Sequence, residues 1–259
     1  MTDLFDLAAA RLMSGGGSPA VLTEKSVTAN GTYSAADDNA DGYSSVTVAV
    51  PELPVMFVKS IKSIGNSIIV TDIIPEYDWE VFMDIKLENP TYAQTSPGNN
   101  ELFGKKITND YMIISVSKWN ASLNTDFVSY FGFSPISGTT YSGYIPDSDI
   151  GIRNSLVSRR GAGKCIYGSS SFTMSGNISQ TSRNPVAIFG SIQDNEVLSK
   201  YEKYDITMYS MEMFSGSGAL VHTLVPAKSK STNRAGLYDL VTGKFYPSHA
   251  DYDDFIVEV

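Results

Sequence analysis

The chain has 259 residues and a formal charge of −9, from 19 Lys and Arg against 28 Asp and Glu. This acidity excludes a general nucleic-acid-binding protein, whose affinity depends on basic side chains that displace counterions from phosphates. With 42% hydrophobic and 18% charged residues the chain is also too apolar to be disordered, so we expect at least one packed domain.

Cysteine and histidine are scarce in this sequence. One cysteine, Cys165, and two histidines, His222 and His249, cannot build a disulfide framework, a cysteine-rich zinc site or a closely spaced histidine pair. The first residues are acidic where a signal peptide would be basic, and they contain no apolar run long enough for a membrane span. We therefore expect synthesis and folding in a reducing cytoplasm, without insertion into a membrane.

The clearest helix pattern lies at the N-terminus, in residues 2–13. Asp6 near its start and Arg11 near its end match the helix dipole. Four residues at helical spacing form its apolar side: Leu4, Phe5, Ala8 and Leu12. Because so short a helix is unstable alone in water, we expect 1–14 to be an anchoring helix that docks on another protein or another copy of the chain. The alternative is a surface helix packed on its own domain. In either case a Gly-rich linker, 15–20, is predicted to follow the helix.

Residues 21–54 predict a small separate β module. Residues 46–50 alternate valine with Thr and Ala, and an Asn-Gly pair at 30–31 signals a turn. Pro51 and Pro54 then mark a boundary, since closely spaced prolines interrupt the hydrogen bonds of a sheet.

From residue 55 to the C-terminus the pattern is β throughout. The cleanest strand is 76–88, where apolar and polar residues alternate and only Phe82 interrupts the polar row. A hairpin is predicted at 237–246, with Gly243 supplying the positive φ of a tight turn. A dozen such strands with no helix between them predict an all-β fold, an antiparallel β-sandwich over 55–259.

Two groups of segments carry resemblances to known families. Thr28–Tyr33 and Asp41–Pro51 resemble a short module that recurs in phage and prophage virion proteins. A second group lies in the C-terminal part: Phe57–Pro75, Glu101–Gly104, Val186–Phe189, Leu224–Ala227, Gly236–Leu240 and Gly243–Tyr246. These segments resemble the concanavalin A-like, laminin-G-like jelly roll of phage tail and adhesin proteins.

The resemblance implies a virion protein, displayed on a tail or capsid and often homotrimeric, whose jelly roll binds host-surface glycans. It implies a tail fibre or receptor-binding component that contacts other virion proteins through its N-terminus. The alternative is a decoration or head-fibre protein whose jelly roll only covers or bridges other virion proteins. The family uses its fold for adhesion, for decoration and as inert modules, so the fold alone does not fix the function.

Three carboxylates at alternate positions, Glu76, Asp78 and Glu80, resemble the catalytic strand of β-glucanases that share this fold. That likeness implies Glu76 as nucleophile, Asp78 as helper and Glu80 as acid/base of a retaining glycosidase. However, Tyr77 and Trp79 would point to the opposite face, where they cannot line a sugar cleft with the carboxylates. We therefore expect a solvated strand face and no enzyme, with a glycan hydrolase as the alternative.

A second acidic motif, Asp37, Asn39 and Asp41 followed by Gly42, matches the opening of a calcium loop. Val48 occupies the position where such a loop needs a bidentate Glu. A polar hairpin loop is therefore expected and no metal or other cofactor, with calcium as the alternative.

Exposed aromatic residues are the predicted glycan contacts. Tyr141 and Tyr144 lie in a predicted loop rich in Gly and Ser, and Trp119 follows a strand end. Aromatic faces bind pyranose rings because stacking removes C–H surface from water while the hydroxyls stay free to hydrogen-bond. We predict Trp119, Tyr141 and Tyr144 as a recognition surface. The alternative is that the two tyrosines pack against a neighbouring protomer.

Overall fold

The structure of the protein, a computed structural model, describes residues 31–33, 46–48, 53–63, 67–76, 78–88, 98–107, 110–118, 129–130, 142–143, 147–159, 164–168, 170–173, 185–193, 196–198 and 205–259. The chain divides between Leu53 and Pro54 into two units. In the first, strand β1 (Gly31–Tyr33) pairs antiparallel with β2 (Val46–Val48). The predicted anchoring helix, 1–14, and the linker, 15–20, lie outside the described residues.

The described part of the second unit consists of β-strands, with one turn of 3-10 helix at Asp147–Asp149. In chain order the strands are β3 (Val55–Phe57), β4 (Ser60–Ser63), β5 (Ile69–Val70), β6 (Glu80–Glu88), β7 (Gly98–Ile107), β8 (Asp110–Lys118), β9 (Ser129–Tyr130), β10 (Ser142–Gly143), β11 (Arg153–Arg159), β12 (Lys164–Tyr167), β13 (Ser170–Thr173), β14 (Ala187–Ile188), β15 (Ser191–Gln193), β16 (Glu196–Leu198), β17 (Asp205–Phe214), β18 (Leu220–Ser229), β19 (Ala235–Asp239), β20 (Lys244–Pro247) and β21 (Ile256–Glu258).

The strands of this unit form a large sheet, a small sheet and the separate pair β9 and β10. The large sheet has the order β13-β12-β11-β6-β17-β18-β19-β20, with β3 on β18 and with β4 joining β17 to β21. The small sheet has the order β16-β15-β7-β14-β5, with β8 also on β7. All the described pairings are antiparallel except β15 with β7, which is parallel.

The two sheets share one hydrophobic core. Strand β6 alternates buried and partly buried residues along its whole length. Its buried residues, all at most 1% exposed, are Val81, Met83, Ile85 and Leu87. Phe103 and Ile188 of the small sheet belong to the same cluster. The prediction of an all-β fold with antiparallel sheets is confirmed, and the arrangement is consistent with a β-sandwich.

A buried carboxylate fixes the hairpin of β19 and β20. Asp239 is 0% exposed. Its Oδ1 accepts the backbone N–H groups of Thr223 and Val241, at 3.1 and 3.0 Å, and its Oδ2 lies 2.6 Å from Thr242 Oγ1 and 2.7 Å from His222 Nδ1. Burial alone would raise the pKa of Asp239, but the hydrogen bonds outweigh burial and lower the pKa.

The turn of this hairpin has the predicted geometry. Gly243 has φ +72°, a conformation that side-chain-bearing residues rarely adopt, so the predicted positive φ is confirmed. Its N–H donates to Asp239 O at 2.8 Å, which closes the turn. Lys244 then reaches back to Asp72, the residue that Tyr246 also contacts through its hydroxyl at 2.8 Å.

Candidate ligand-binding site

The three carboxylates predicted on one strand face are not all in a strand. Strand β6 begins at Glu80, and the N–H of Trp79 donates to Glu76 O at 3.3 Å in a turn before it. The prediction that the strand starts at residue 76 is therefore wrong. Glu76 is exposed, whereas Asp78 and Glu80 are partly buried. Tyr77 and Trp79 were both predicted to turn away from the carboxylates. For Trp79 this is confirmed, because its side chain belongs to the core, and Tyr77 lies outside the described residues.

A pocket of about 240 Å³ opens where this turn meets the start of β6. We call it the Asp78 pocket. Its lining comes from Asp78, Glu80, Phe82, Phe214 and the turn 215–218 between β17 and β18. The pocket therefore combines two carboxylates, two phenyl rings and a short turn that contains two glycines.

Strand pairing brings these residues together from distant parts of the sequence. In the register of β6 with β17, Phe214 lies opposite Glu80. This places Phe214 diagonally next to Phe82 on the same face of the sheet. The two rings meet edge to face, with centroids 5.2 Å apart and planes at 74°. This is a favourable aromatic geometry, and it gives the pocket an apolar wall.

The turn that closes the pocket depends on its glycines. The Ser215 N–H donates to Ala219 O at 2.9 Å, and Gly218, with φ +81°, donates to Ser215 O at 2.8 Å. A Cβ at Gly216 would lie 1.7 Å from Asp78 Oδ2. Only glycine at this position lets the turn approach the carboxylate so closely.

The Asp78 carboxylate has hydrogen-bonding capacity that the described part of the protein does not use. Its Oδ1 is buried and has no hydrogen-bond partner among the described residues. A buried acceptor without a donor is unfavourable, since it has lost water and gained nothing in return. Because Asp78 lines the pocket, a ligand there can donate a hydrogen bond to its carboxylate.

The sheet surface beyond the pocket is occupied by ion pairs. Arg153 Nε donates to Asp84 Oδ1 at 2.8 Å, and its guanidinium lies 3.9 Å from the centre of the Tyr209 ring. Farther along β6, burial opposes ionisation of Glu88, but hydrogen bonds from Lys62 and Lys86 outweigh it and lower the Glu88 pKa. These charged groups have partners within the protein, whereas Asp78 Oδ1 has no hydrogen-bond partner among the described residues.

The other predicted site residues lie outside the described residues. They are the aromatic residues Trp119, Tyr141 and Tyr144, the apolar side of the anchoring helix, Leu4, Phe5, Ala8 and Leu12, and the calcium-loop residues Asp37, Asn39 and Asp41. Across the ranges that the structure describes, no three His, Cys, Asp or Glu side chains converge as metal ligands. Nor is any described helix long and apolar enough to cross a bilayer.

The aromatic wall and the glycine turn were not predicted from the sequence as parts of a site. Phe82 was visible as the one aromatic residue in a polar row, and 215–218 as a Ser-Gly repeat. Neither signal indicates a pocket until the pairing of β6 with β17 is known.

No protein-family model matches this chain, and no curated protein matches it either. The geometry of the Asp78 pocket and the resemblances in the sequence therefore support the functional proposal.

Proposed function

We propose that this chain is a bacteriophage virion protein, a fibre or receptor-binding component whose C-terminal unit binds host-surface glycans. The likeness of the sequence to virion modules and to the concanavalin A-like jelly roll supports this proposal. The observation that carries the binding function is the Asp78 pocket, in which an aromatic wall lies beside a buried acceptor without a partner among the described residues.

The chemistry of the pocket suits a single sugar ring. The apolar face of a pyranose packs on the rings of Phe82 and Phe214, while its hydroxyls donate to the Asp78 carboxylate. The pocket volume of about 240 Å³ lies below the lower limit of about 300 Å³ for pockets that hold drug-sized ligands. The pocket is therefore suited to one sugar ring, and the rest of a long oligosaccharide would extend beyond the pocket.

A site for one ring binds weakly, so we propose that affinity comes from multiplicity. A homotrimer presents three pockets, and linked weak sites gain avidity without new contacts. In this proposal the helix 1–14 anchors the chain to other virion proteins in the assembled particle. Trp119, Tyr141 and Tyr144 stay proposed glycan contacts, and no cofactor or enzymatic step is required.

Binding of the full-length chain to host cells and to an array of bacterial-surface glycans tests the proposal. We expect binding that Phe82→Ala abolishes and that Val241→Ala, a truncation at a residue 50% exposed and outside the pocket lining, leaves intact. Absence of binding to every glycan and to host cells would contradict the adhesive function. Incorporation into particles together with that absence would instead support the decoration protein.

A further inference from the structure

The Asp78 pocket has a chemistry more specific than sugar binding in general. We infer that it selects a sugar with a protonated primary amine, a hexosamine whose amino group is free, over the N-acetylated and anionic forms of the same sugar. This selectivity rests on the proposed function, since it refines the ligand of the same pocket. Three features support it: the unpartnered Asp78 oxygen, the phenyl rings and the charge of the chain.

The first feature is the hydrogen bond that Asp78 lacks. Its Oδ1 is buried and has no partner among the described residues. A sugar hydroxyl in the pocket can donate a hydrogen bond to the Asp78 carboxylate, but the hydroxyl carries no charge. An ammonium group donates a hydrogen bond and also brings a positive charge, which the carboxylate attracts more strongly in a partly buried site than in bulk water. The carboxylate therefore discriminates between an amine and a hydroxyl at the same position of a sugar ring.

The second feature is the aromatic wall. Phe82 and Phe214 stand on the same lining as Asp78 and Glu80. The face of a phenyl ring attracts a cation through its quadrupole, and the attraction grows as the cation loses water. A pocket lined by a carboxylate and phenyl rings therefore favours an ammonium group over a neutral amide of similar size.

N-acetylation and acidic substituents should both weaken binding. An N-acetyl group removes the positive charge and adds bulk in a pocket of about 240 Å³. A carboxylate or phosphate on the sugar would face Asp78 and Glu80, and like charges in a partly buried site repel strongly. The formal charge of −9 adds a long-range field that favours encounter with cationic ligands.

The selectivity depends on Asp78 rather than on Glu80. Arg159 holds the register position opposite Glu80 in the pairing of β11 with β6. A basic residue is therefore placed beside Glu80 by the sheet itself. No such pairing is described for Asp78, which lies in the turn before the strand.

The test is a calorimetric titration of the full-length chain with three oligosaccharides of matched length: oligoglucosamine, its N-acetylated form and an oligomer that contains glucuronate. A pH of about 6 keeps an amine with a pKa near 8 protonated. We expect oligoglucosamine to bind about tenfold tighter than the N-acetylated form and the acidic oligomer to bind weakest. In about 1 M salt, where the Debye length is about 3 Å, the preference should shrink.

Two variants tie the preference to the carboxylate. Asp78→Asn should reduce the tenfold preference to less than twofold, and Gly216→Ala should do the same by displacing the carboxylate. Asp253→Asn, which removes an equal charge from an exposed position, should leave the preference unchanged. Circular dichroism melting of each variant shows whether the fold is retained.

The outcomes separate this inference from the proposed function. Equal binding of the free and N-acetylated oligomers, or an unchanged preference in Asp78→Asn, overturns the amine selectivity and leaves glycan binding in place. Binding of ethanolamine as tight as that of glucosamine overturns the role of the sugar ring. If none of the sugars binds, both the inference and the proposed function fail.

Discussion

The buried carboxylate of Asp239 provides a quantitative prediction about what holds the C-terminal unit together. Replacing Asp239 with Ala removes an acceptor that serves two backbone amides, a hydroxyl and an imidazole. Each lost hydrogen bond costs about 1 kcal/mol net, and donors left unsatisfied in the interior cost more. For four contacts we expect the free energy of unfolding to fall by about 4 kcal/mol, a large part of the roughly 5–15 kcal/mol that is usual for a domain.

Asp239→Asn separates the two oxygens of this carboxylate. Its amide oxygen can still accept the backbone N–H groups of Thr223 and Val241 at the position of Oδ1. The amide nitrogen replaces the acceptor that faces Thr242 and His222. We therefore expect a loss of about 2 kcal/mol, roughly half that of Asp239→Ala.

The effect of Asp239 should depend on pH with a definite sign. Its pKa in the folded state is lowered from the ordinary 3.8, so its ionised form is favoured by folding. The resulting stability is complete above the unfolded pKa and disappears as the pH falls through the folded pKa. The stability difference between the wild type and Asp239→Asn should therefore be larger at neutral pH than at pH values below 3.8.

Urea unfolding followed by tryptophan fluorescence measures these differences, because both tryptophans, Trp79 and Trp119, belong to the second unit. Asp253→Asn serves as the control, since Asp253 is an exposed carboxylate. A loss below about 1 kcal/mol for Asp239→Ala at neutral pH would disprove this role of Asp239, because it would mean that the four contacts contribute almost nothing.

Two further substitutions test the packing of the sheets. Gly236→Ala should destabilise the chain by about 1–3 kcal/mol, because its Cβ would lie 2.2 Å from Tyr246 O. Urea unfolding measures this loss. A midpoint equal to that of the wild type would contradict the described approach of β19 to β20. Ile85 is 0% exposed, so Ile85→Ala should lower the free energy of unfolding by about 2–5 kcal/mol. Ile256 is 52% exposed, so Ile256→Ala should lower it much less. Equal losses of stability in thermal melts would argue against the assigned core.

The sequence predicted the features of this fold that depend on local pattern. Alternation over 76–88 predicted a strand with one buried face. Over 80–88 this is observed, because side chains on a strand point alternately to its two sides. Gly243 was predicted at a tight turn because few other residues tolerate its positive φ. Both predictions use information contained within a few neighbouring residues.

The features that the sequence did not predict depend on contacts between distant segments. The alternation of apolar and polar residues continues back to Glu76, yet the chain turns there. Trp79 is buried partly through its contact with His222, and the centroids of the two rings lie 5.8 Å apart. The Asp78 pocket forms only when β17 pairs with β6, which no local pattern specifies. Periodicity shows which face of a strand is apolar but not which strand becomes its neighbour.

Hydrogen–deuterium exchange of the full-length chain, with and without bound oligoglucosamine, shows whether a ligand binds in the Asp78 pocket. If it does, backbone amides in 78–82 and 214–219 exchange more slowly when the sugar is bound. Saturating binding of the sugar with unchanged exchange in both segments, and protection elsewhere in the chain, would contradict binding in this pocket.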